Sequence, residues 1–305
     1  MSGDLFAQRP RWSATPARVR SAVEEVCGAR AVKVRDVSGG MSPGPAAILA
    51  LANGRRVFVK AVSASAGAQS HRFYRREVVA LEAMPAAAPT PRLIGSVEVG
   101  DWCALVMTVA EGSVAGPPWT ADGVRLVEQA CEQIAKLRAP TAVPRIGELL
   151  TDLDGWRRLR PDQLDAWERD HVKELADLAD GWPEWTAGPA LVHQDVRADN
   201  AVIDIAGGRA VLVDWSFGCA GAAWLDRARL AADIVGTGHH DGPAAALEAA
   251  RNVLAGLPPG AIRFVAALAG MWRYRSTLPE PPGLPTLRTW QRTRALRVRH
   301  LLHRP

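Results

Sequence analysis

Leu191-Val192-His193-Gln194-Asp195-Val196-Arg197-Ala198-Asp199-Asn200 is the stretch on which the reading of this chain turns. It grows out of a short apolar β-type run, Ala190 to Val192, and feeds a second one, Ala201 to Ile205. A Gly207-Gly208 turn then leads to a third run, Ala210 to Val213, which ends on Asp214-Trp215. One loop therefore carries His193, Asp195 and Asn200, and the next strand delivers Asp214. A carboxylate such as Asp195 can orient a hydroxyl and accept its proton. Asn200 and Asp214 offer the hard oxygen atoms that Mg²⁺ prefers. Taken alone, the same residues could form an ordinary polar turn between strands, so partners elsewhere in the chain have to decide.

The first 110 residues supply those partners. Thr15-Pro16 followed by Ala17 to Cys27 and Gly28 predicts a helix with Pro at its start and Gly past its end. Val32 to Val37, Ala46 to Leu51 and Val57 to Val62 predict strands, the last two joined by the hairpin signal Asn53-Gly54. Gln69 to Met84 has helical spacing; Arg92 to Val99 and Cys103 to Val109 predict two more strands about Gly100-Asp101. Lys60 thus falls on a strand, and Glu77 lies in the helix that follows, with Glu82 as a second acid on it. A strand lysine is by default a snorkelling surface residue. Beyond Glu111 to Pro118, which predicts a connector, helices are expected over Ala121 to Arg138, Asp162 to Asp180, Ala222 to Val235, Pro243 to Leu254, Ala261 to Arg275 and Thr286 to Leu302.

His193, Asp195 and Asn200 match the spacing H-x-D-x-x-x-x-N of kinase-like phosphotransferases, with Asp214 as the downstream metal-binding acid. From about Val32 to Ala231 the chain resembles the aminoglycoside phosphotransferase family, the small-molecule branch of the protein-kinase-like fold. The resemblance implies a two-lobed α+β architecture: a β-rich nucleotide-binding lobe over residues 1–110, a hinge over 111–119, and a mainly helical lobe with the acceptor pocket over 120–305. It implies an enzyme that uses ATP and Mg²⁺ to phosphorylate a hydroxyl of a small molecule such as an aminoglycoside or other antibiotic. By position, Asp195 is then the catalytic base, Asn200 and Asp214 hold magnesium, Lys60 binds the ATP phosphates, and Glu77 holds Lys60. His193 and Asp226 support the catalytic loop. Ser42, in the turn Ser38 to Pro45, would touch phosphate, and backbone groups of Thr108 and Ala110 would pair with adenine. Three places depart from the family pattern: Gln194 stands where Gly is usual, Gly221-Ala222 lacks the usual Asp-Pro, and Ser38 to Pro45 is not G-x-G-x-x-G. A protein kinase is disfavoured because Asp226 follows Asp214 too closely for a regulated segment and no Ala-Pro-Glu follows; no G-x-x-x-x-G-K-[ST] supports a P-loop enzyme.

Composition adds limits. The chain has 305 residues, 48% of them apolar, enough for a large core, without an apolar run of membrane-spanning length or a signal-peptide pattern. A cytoplasmic protein with no membrane partner is expected. The four cysteines show no paired spacing, which argues against disulfides and zinc. Arg263 to Pro305 carries nine arginines and one acid, Glu280, so the preceding residues are net −3 although the whole chain is +5. Two readings of this charge stay open. Asp152 to Glu184 is rich in acids and could attract a polycationic acceptor, or form a solvated helix face. Arg288, Arg292, Arg294, Arg297 and Arg299 could give a kinase-like domain without turnover a surface for nucleic acid or another acidic partner; a solvated face is the preferred alternative.

Overall fold

The computed structural model describes residues 9–281, 284 and 286–302. Residues 1–8, part of the stretch read for a leader, and residues 303–305 of the basic tail lie outside them. The chain divides into two compact units. The first contains residues up to Met84, Thr90–Glu111 and the short segment Val213–Phe217. The second takes Pro85–Pro89, Gly112–Leu212 and Gly218–Pro305.

In the first unit, helix α1 (Ala17–Cys27) precedes strands β1 (Ala31–Asp36), β2 (Ala46–Leu51) and β3 (Arg56–Ser63), helix α2 (Ala64–Glu82), and strands β4 (Leu93–Val99) and β5 (Trp102–Thr108). The strands form one antiparallel sheet in the order β1-β2-β3-β5-β4. Side chains alternate across a strand. Val57, Val59 and Ala61 therefore enter the core with Leu49, Val106 and the α1 residues Val19 and Val23. Each fully buried Val or Leu of this kind contributes about 1.5–3 kcal/mol. Lys60 is left on the opposite face of β3. Gly28 ends α1 in the left-handed region, as the sequence predicted. Helix α2 starts earlier than its apolar spacing suggested, because the Ser63 side chain caps it by accepting the Ala66 amide; its regular part follows a break at Gly67.

The second unit begins with β6 (Ser113–Val114), inside the stretch read as a connector; it pairs with β8, too short a strand for a pattern to reveal. Helices α3 (Ala121–Ala135), α4 (Ile146–Leu149), α5 (Gly155–Arg158), α6 (Ala166–Leu178) and α7 (Trp182–Trp185) follow. Then come β7 (Ala190–Val192), β8 (Ala201–Asp204), β9 (Arg209–Leu212) and β10 (Cys219–Gly221), and helices α8 (Leu225–Thr237), α9 (Pro243–Leu254), α10 (Gly260–Arg275) and α11 (Leu287–Leu302). The helix expected from Asp162 starts only at Ala166, since Asp165 and Glu168 form a capping box that fixes the N-terminus there. Strand β10, missed in the sequence, pairs antiparallel with β7. The loop between β7 and β8 holds Asp195.

Candidate active site

The first constellation lies wholly in the first unit. Lys60 is only 7% exposed, and the sheet alone gives its ammonium no counter-charge. Helix α2 supplies one: Tyr74, Glu77 and Leu81 are spaced three and four apart, so they share a face. The Lys60 Nζ atom lies 2.5 Å from Glu77 Oε2 and 4.7 Å from the centre of the Tyr74 ring. Glu82 is exposed, so the structure selects Glu77 as the partner of Lys60. Asp214 completes the set, its Oδ1 atom 3.4 Å from Nζ. Burial by itself would lower the Lys60 pKa, yet Asp214 and Glu77 outweigh it and raise it above the ordinary value. Burial pushes the Glu77 carboxyl up to about 7 against the pull of Lys60.

Asp214 adopts φ 65°, a left-handed conformation that a short polar side chain tolerates. Its side chain is 42% exposed, so its carboxylate can still take a ligand. Ser42 accepts a 2.8 Å hydrogen bond from the Tyr74 hydroxyl and, more weakly, the Gly44 amide. Gly44 is required here: a Cβ would stand 1.9 Å from the Ala61 carbonyl oxygen. Arg9, which the sequence did not mark, donates to the carbonyls of Gly39 and Gly44 and ties the turn together. At the far end of β5 the Thr108 amide donates to the Arg92 carbonyl at 2.9 Å. Ala110 is half-buried just past the strand end.

The second constellation lies wholly in the second unit and is organised by α8. Asp226, Arg229 and Asp233 follow one another at three and four residues, forming a polar stripe on an otherwise apolar, buried helix. Asp226 accepts the His193 and Gln194 amides at 2.7 and 2.9 Å. Burial raises its pKa, opposed by His193 and these amides. Asp233 accepts the Ala198 amide and the Trp119 indole N–H, and meets Arg294 of α11. Both ends of the loop are thereby pinned. His193 is fully buried and accepts the Asp195 amide on Nδ1.

Asp195, 9% exposed, is gripped from three sides. Its Oδ2 atom accepts from Arg197 Nη1 at 3.0 Å and Asn200 Nδ2 at 2.9 Å; its Oδ1 atom accepts from Arg229 Nη2 at 3.1 Å. Two lone pairs per oxygen fill Oδ2 and leave Oδ1 able to accept one more hydrogen bond. A hydroxyl donor therefore belongs at Oδ1. Asn200 also donates to the Asp195 carbonyl, which directs its amide nitrogen inward, and its oxygen accepts a long hydrogen bond, 3.5 Å, from Arg197. Gln194 has φ 67°, which explains why a glycine suits this position; its side-chain amide is buried without a partner. Neither Arg197 nor Arg229 was singled out in the sequence. The signal that could have found Arg229 is the Asp-x-x-Arg-x-x-x-Asp stripe in an apolar helix.

A profile of the phosphotransferase enzyme family, the aminoglycoside phosphotransferase group, matches residues 34–263. The chain belongs to that family. It is accordingly a phosphotransferase enzyme with the kinase-like α+β fold. Among solved structures it is similar to an amicoumacin kinase in complex with AMP-PNP and Ca²⁺, at 10% identity and TM-score 0.53, over 90% of this chain and 92% of that one. It is also similar to an aminoglycoside phosphotransferase from Streptomyces rimosus in complex with ADP and streptomycin, at 15% identity and TM-score 0.50, over 92% and 99%. No curated protein matches the sequence. No helix among the described residues is long and apolar enough to cross a membrane.

Proposed function

We propose that this phosphotransferase moves the γ-phosphate of ATP to a hydroxyl of a small molecule, with Asp195 receiving the hydroxyl. The observation that carries this reading is that the first unit holds a buried, doubly countered Lys60 and the second a braced Asp195 with one acceptor position left. Phosphoryl transfer asks mostly for aim and charge neutralisation. Lys60 meets the α- and β-phosphates, with Glu77 fixing its ammonium. Ser42 contributes to the phosphate turn, and the Thr108 carbonyl and Ala110 backbone face adenine. His193 and Asp226 hold the loop so that Asp195 can orient the acceptor hydroxyl and take its proton. Asn200 and Asp214 fit a magnesium ion: both present oxygen, and among the described residues no cluster of three or more His, Cys, Asp or Glu could hold a metal by itself. This suits an ion that leans on substrate phosphates for its other ligands. Such an ion, held by these two residues, would supply neutralisation of the phosphate charge.

The division into nucleotide-binding residues 1–110, hinge 111–119 and catalytic residues 120–305 is part of the same proposal. A cytoplasmic setting agrees with four buried cysteines that form no disulfide. The reading of α11 as a polyanion surface loses support. Arg294 is buried against Asp233, Arg297 donates to the Gly236 carbonyl, Arg299 to Asp165, and Arg288 to the Pro279 carbonyl. These guanidiniums brace the fold.

The test is incubation with Mg-ATP and a panel of aminoglycosides, other hydroxylated antibiotics and sugar metabolites, with phosphorylated product detected by mass. Asp195→Ala should lower turnover by about 10²–10⁴-fold. Undiminished product in that variant would remove Asp195 from the mechanism. A wild-type protein whose melting temperature does not rise with ATP and Mg²⁺ would remove the nucleotide altogether.

A further inference from the structure

Asp195 and Arg229 share one niche, being 9% and 8% exposed. Any acceptor that reaches the open position on Asp195 Oδ1 comes beside the guanidinium that already donates to that oxygen. Arg197, 8% exposed, stands on the other carboxylate oxygen. The substituents next to the reacting hydroxyl therefore meet two guanidiniums.

Among the described residues Arg229 is not fully satisfied: its Nη1 atom is buried with no hydrogen-bond partner, and the ion-pair partner it has there, Asp195, is shared with Arg197. Asp226, one turn earlier on α8, has both oxygens engaged by the backbone amides of His193 and Gln194. The face of Trp272 lies 5.4 Å from the Arg229 guanidinium and fixes its plane. Burial lowers the Arg229 pKa, with Asp195 opposing. Five of the acids that the sequence offered as a cradle for a polycation are engaged in ion pairs. Asp152 pairs with Arg275, Asp154 with Arg158, Asp165 with Arg299, Glu168 with Arg273 and Asp177 with Lys173.

We propose that Arg229 is a specificity residue of the acceptor site, and that the acceptor carries an anionic oxygen, as carboxylate or phosphate, close to its reacting hydroxyl. A planar guanidinium with unmet donors is matched to such an oxyanion. An ammonium group in the same place meets like charge. The inference rests on the phosphotransferase reading and on Asp195 receiving the hydroxyl.

The experiment uses the full chain saturated with Mg²⁺ and a non-hydrolysable ATP analogue, titrated calorimetrically with glycerate, glycerol 3-phosphate and glycerol. Wild type should bind at least one of the two anions about ten-fold or more tightly than glycerol. Which anion wins separates carboxylate from phosphate. Arg229→Gln should erase the advantage, and Arg229→Lys should restore part of it. Equal binding of all three, or no binding of either anion, overturns the proposal in wild type, whatever becomes of the variants. So does an anion preference that survives Arg229→Gln. If Arg229→Gln instead weakens the ATP analogue and leaves discrimination intact, the arginine serves the nucleotide and the proposal falls. Failure of the analogue to raise the wild-type melting temperature is a separate result, because it strikes the phosphotransferase reading first.

Discussion

The two constellations are electrostatic inverses. Around Lys60 one cation is held by two carboxylates, Glu77 and Asp214; around Asp195 one carboxylate is held by two cations, Arg197 and Arg229. Each solves the same difficulty, since a buried charge is costly unless it is paired and hydrogen-bonded. They differ in what remains open. The lysine keeps a solvated neighbour, Asp214, whose side chain is 42% exposed, whereas the aspartate sits among groups that are each less than a tenth exposed. The first arrangement suits a large polyanionic ligand arriving with its own cation. The second suits one hydroxyl admitted to one oxygen.

Breaking the first arrangement should give the larger effect. Lys60→Met leaves Glu77 buried beside Asp214 with no cation, a change that costs about 3–5 kcal/mol. The cost should depend on pH with a definite sign. Glu77 already has its pKa pushed from 4.5 to about 7 by burial, so the folded variant binds a proton that the unfolded chain releases. Stability of the variant should therefore fall as pH rises from 6 to 9. Wild type should fall less over the same span, because Lys60 pulls the Glu77 pKa down and the variant lacks that pull, while the raised pKa of Lys60 itself keeps its contribution in place past the ordinary 10.5. Denaturant unfolding at the two pH values measures this directly. A pH-independent deficit, or full nucleotide-induced stabilisation in the variant, would contradict the assignment of Lys60.

A smaller effect should sharpen the other side. Arg197 reaches Asp199 through Nε at 2.9 Å and Nη2 at 2.8 Å while holding Asp195. Burial alone would raise the Asp199 pKa, but Arg197 overcomes it and lowers it below the ordinary 3.8. A depressed carboxylate contributes stability above its unfolded pKa and loses it as pH falls through the folded value. Asp199→Asn should cost about 1–3 kcal/mol at pH 6. Its deficit against wild type should shrink as the pH drops below about 4. Thermal melts across that range decide it, and a constant deficit would mean that Asp199 is not ionised against Arg197.

The same inversion explains what the sequence made legible. Lys60, Glu77, Asp195, Asn200 and Asp214 could be singled out because strand ends and loop spacing are local, so residue order alone places them. Asp226 could be placed from its distance to Asp214. Arg229 was invisible because its role depends on which side of α8 faces the loop, a tertiary fact that only the polar stripe at 226, 229 and 233 hints at; Arg197 lies in the loop itself, two residues from both Asp195 and Asp199. The acidic run Asp152 to Glu184 carried two readings, a field for a polycation and, preferred, a solvated helix face. Three of its acids, Glu168, Asp152 and Asp165, pair with Arg273, Arg275 and Arg299, more than 100 residues away and so out of reach of a local pattern.

The smallest effect tests the one link between the phosphate turn and the lysine. Tyr74 donates its hydroxyl to Ser42 while its ring lies under the Lys60 ammonium, so a single side chain joins the turn to Lys60. Tyr74→Phe keeps the ring and deletes the hydrogen bond, which should cost about 0.5–1.5 kcal/mol. If that bond positions Ser42 for phosphate, the loss should fall mainly on nucleotide affinity, and Ser42→Ala should show the same loss without adding to it in the double variant. Calorimetric titration with an ATP analogue and Mg²⁺ reads both. Additive losses would mean that Ser42 and Tyr74 act separately, and an unchanged affinity would leave the turn as a plain hairpin around Gly44.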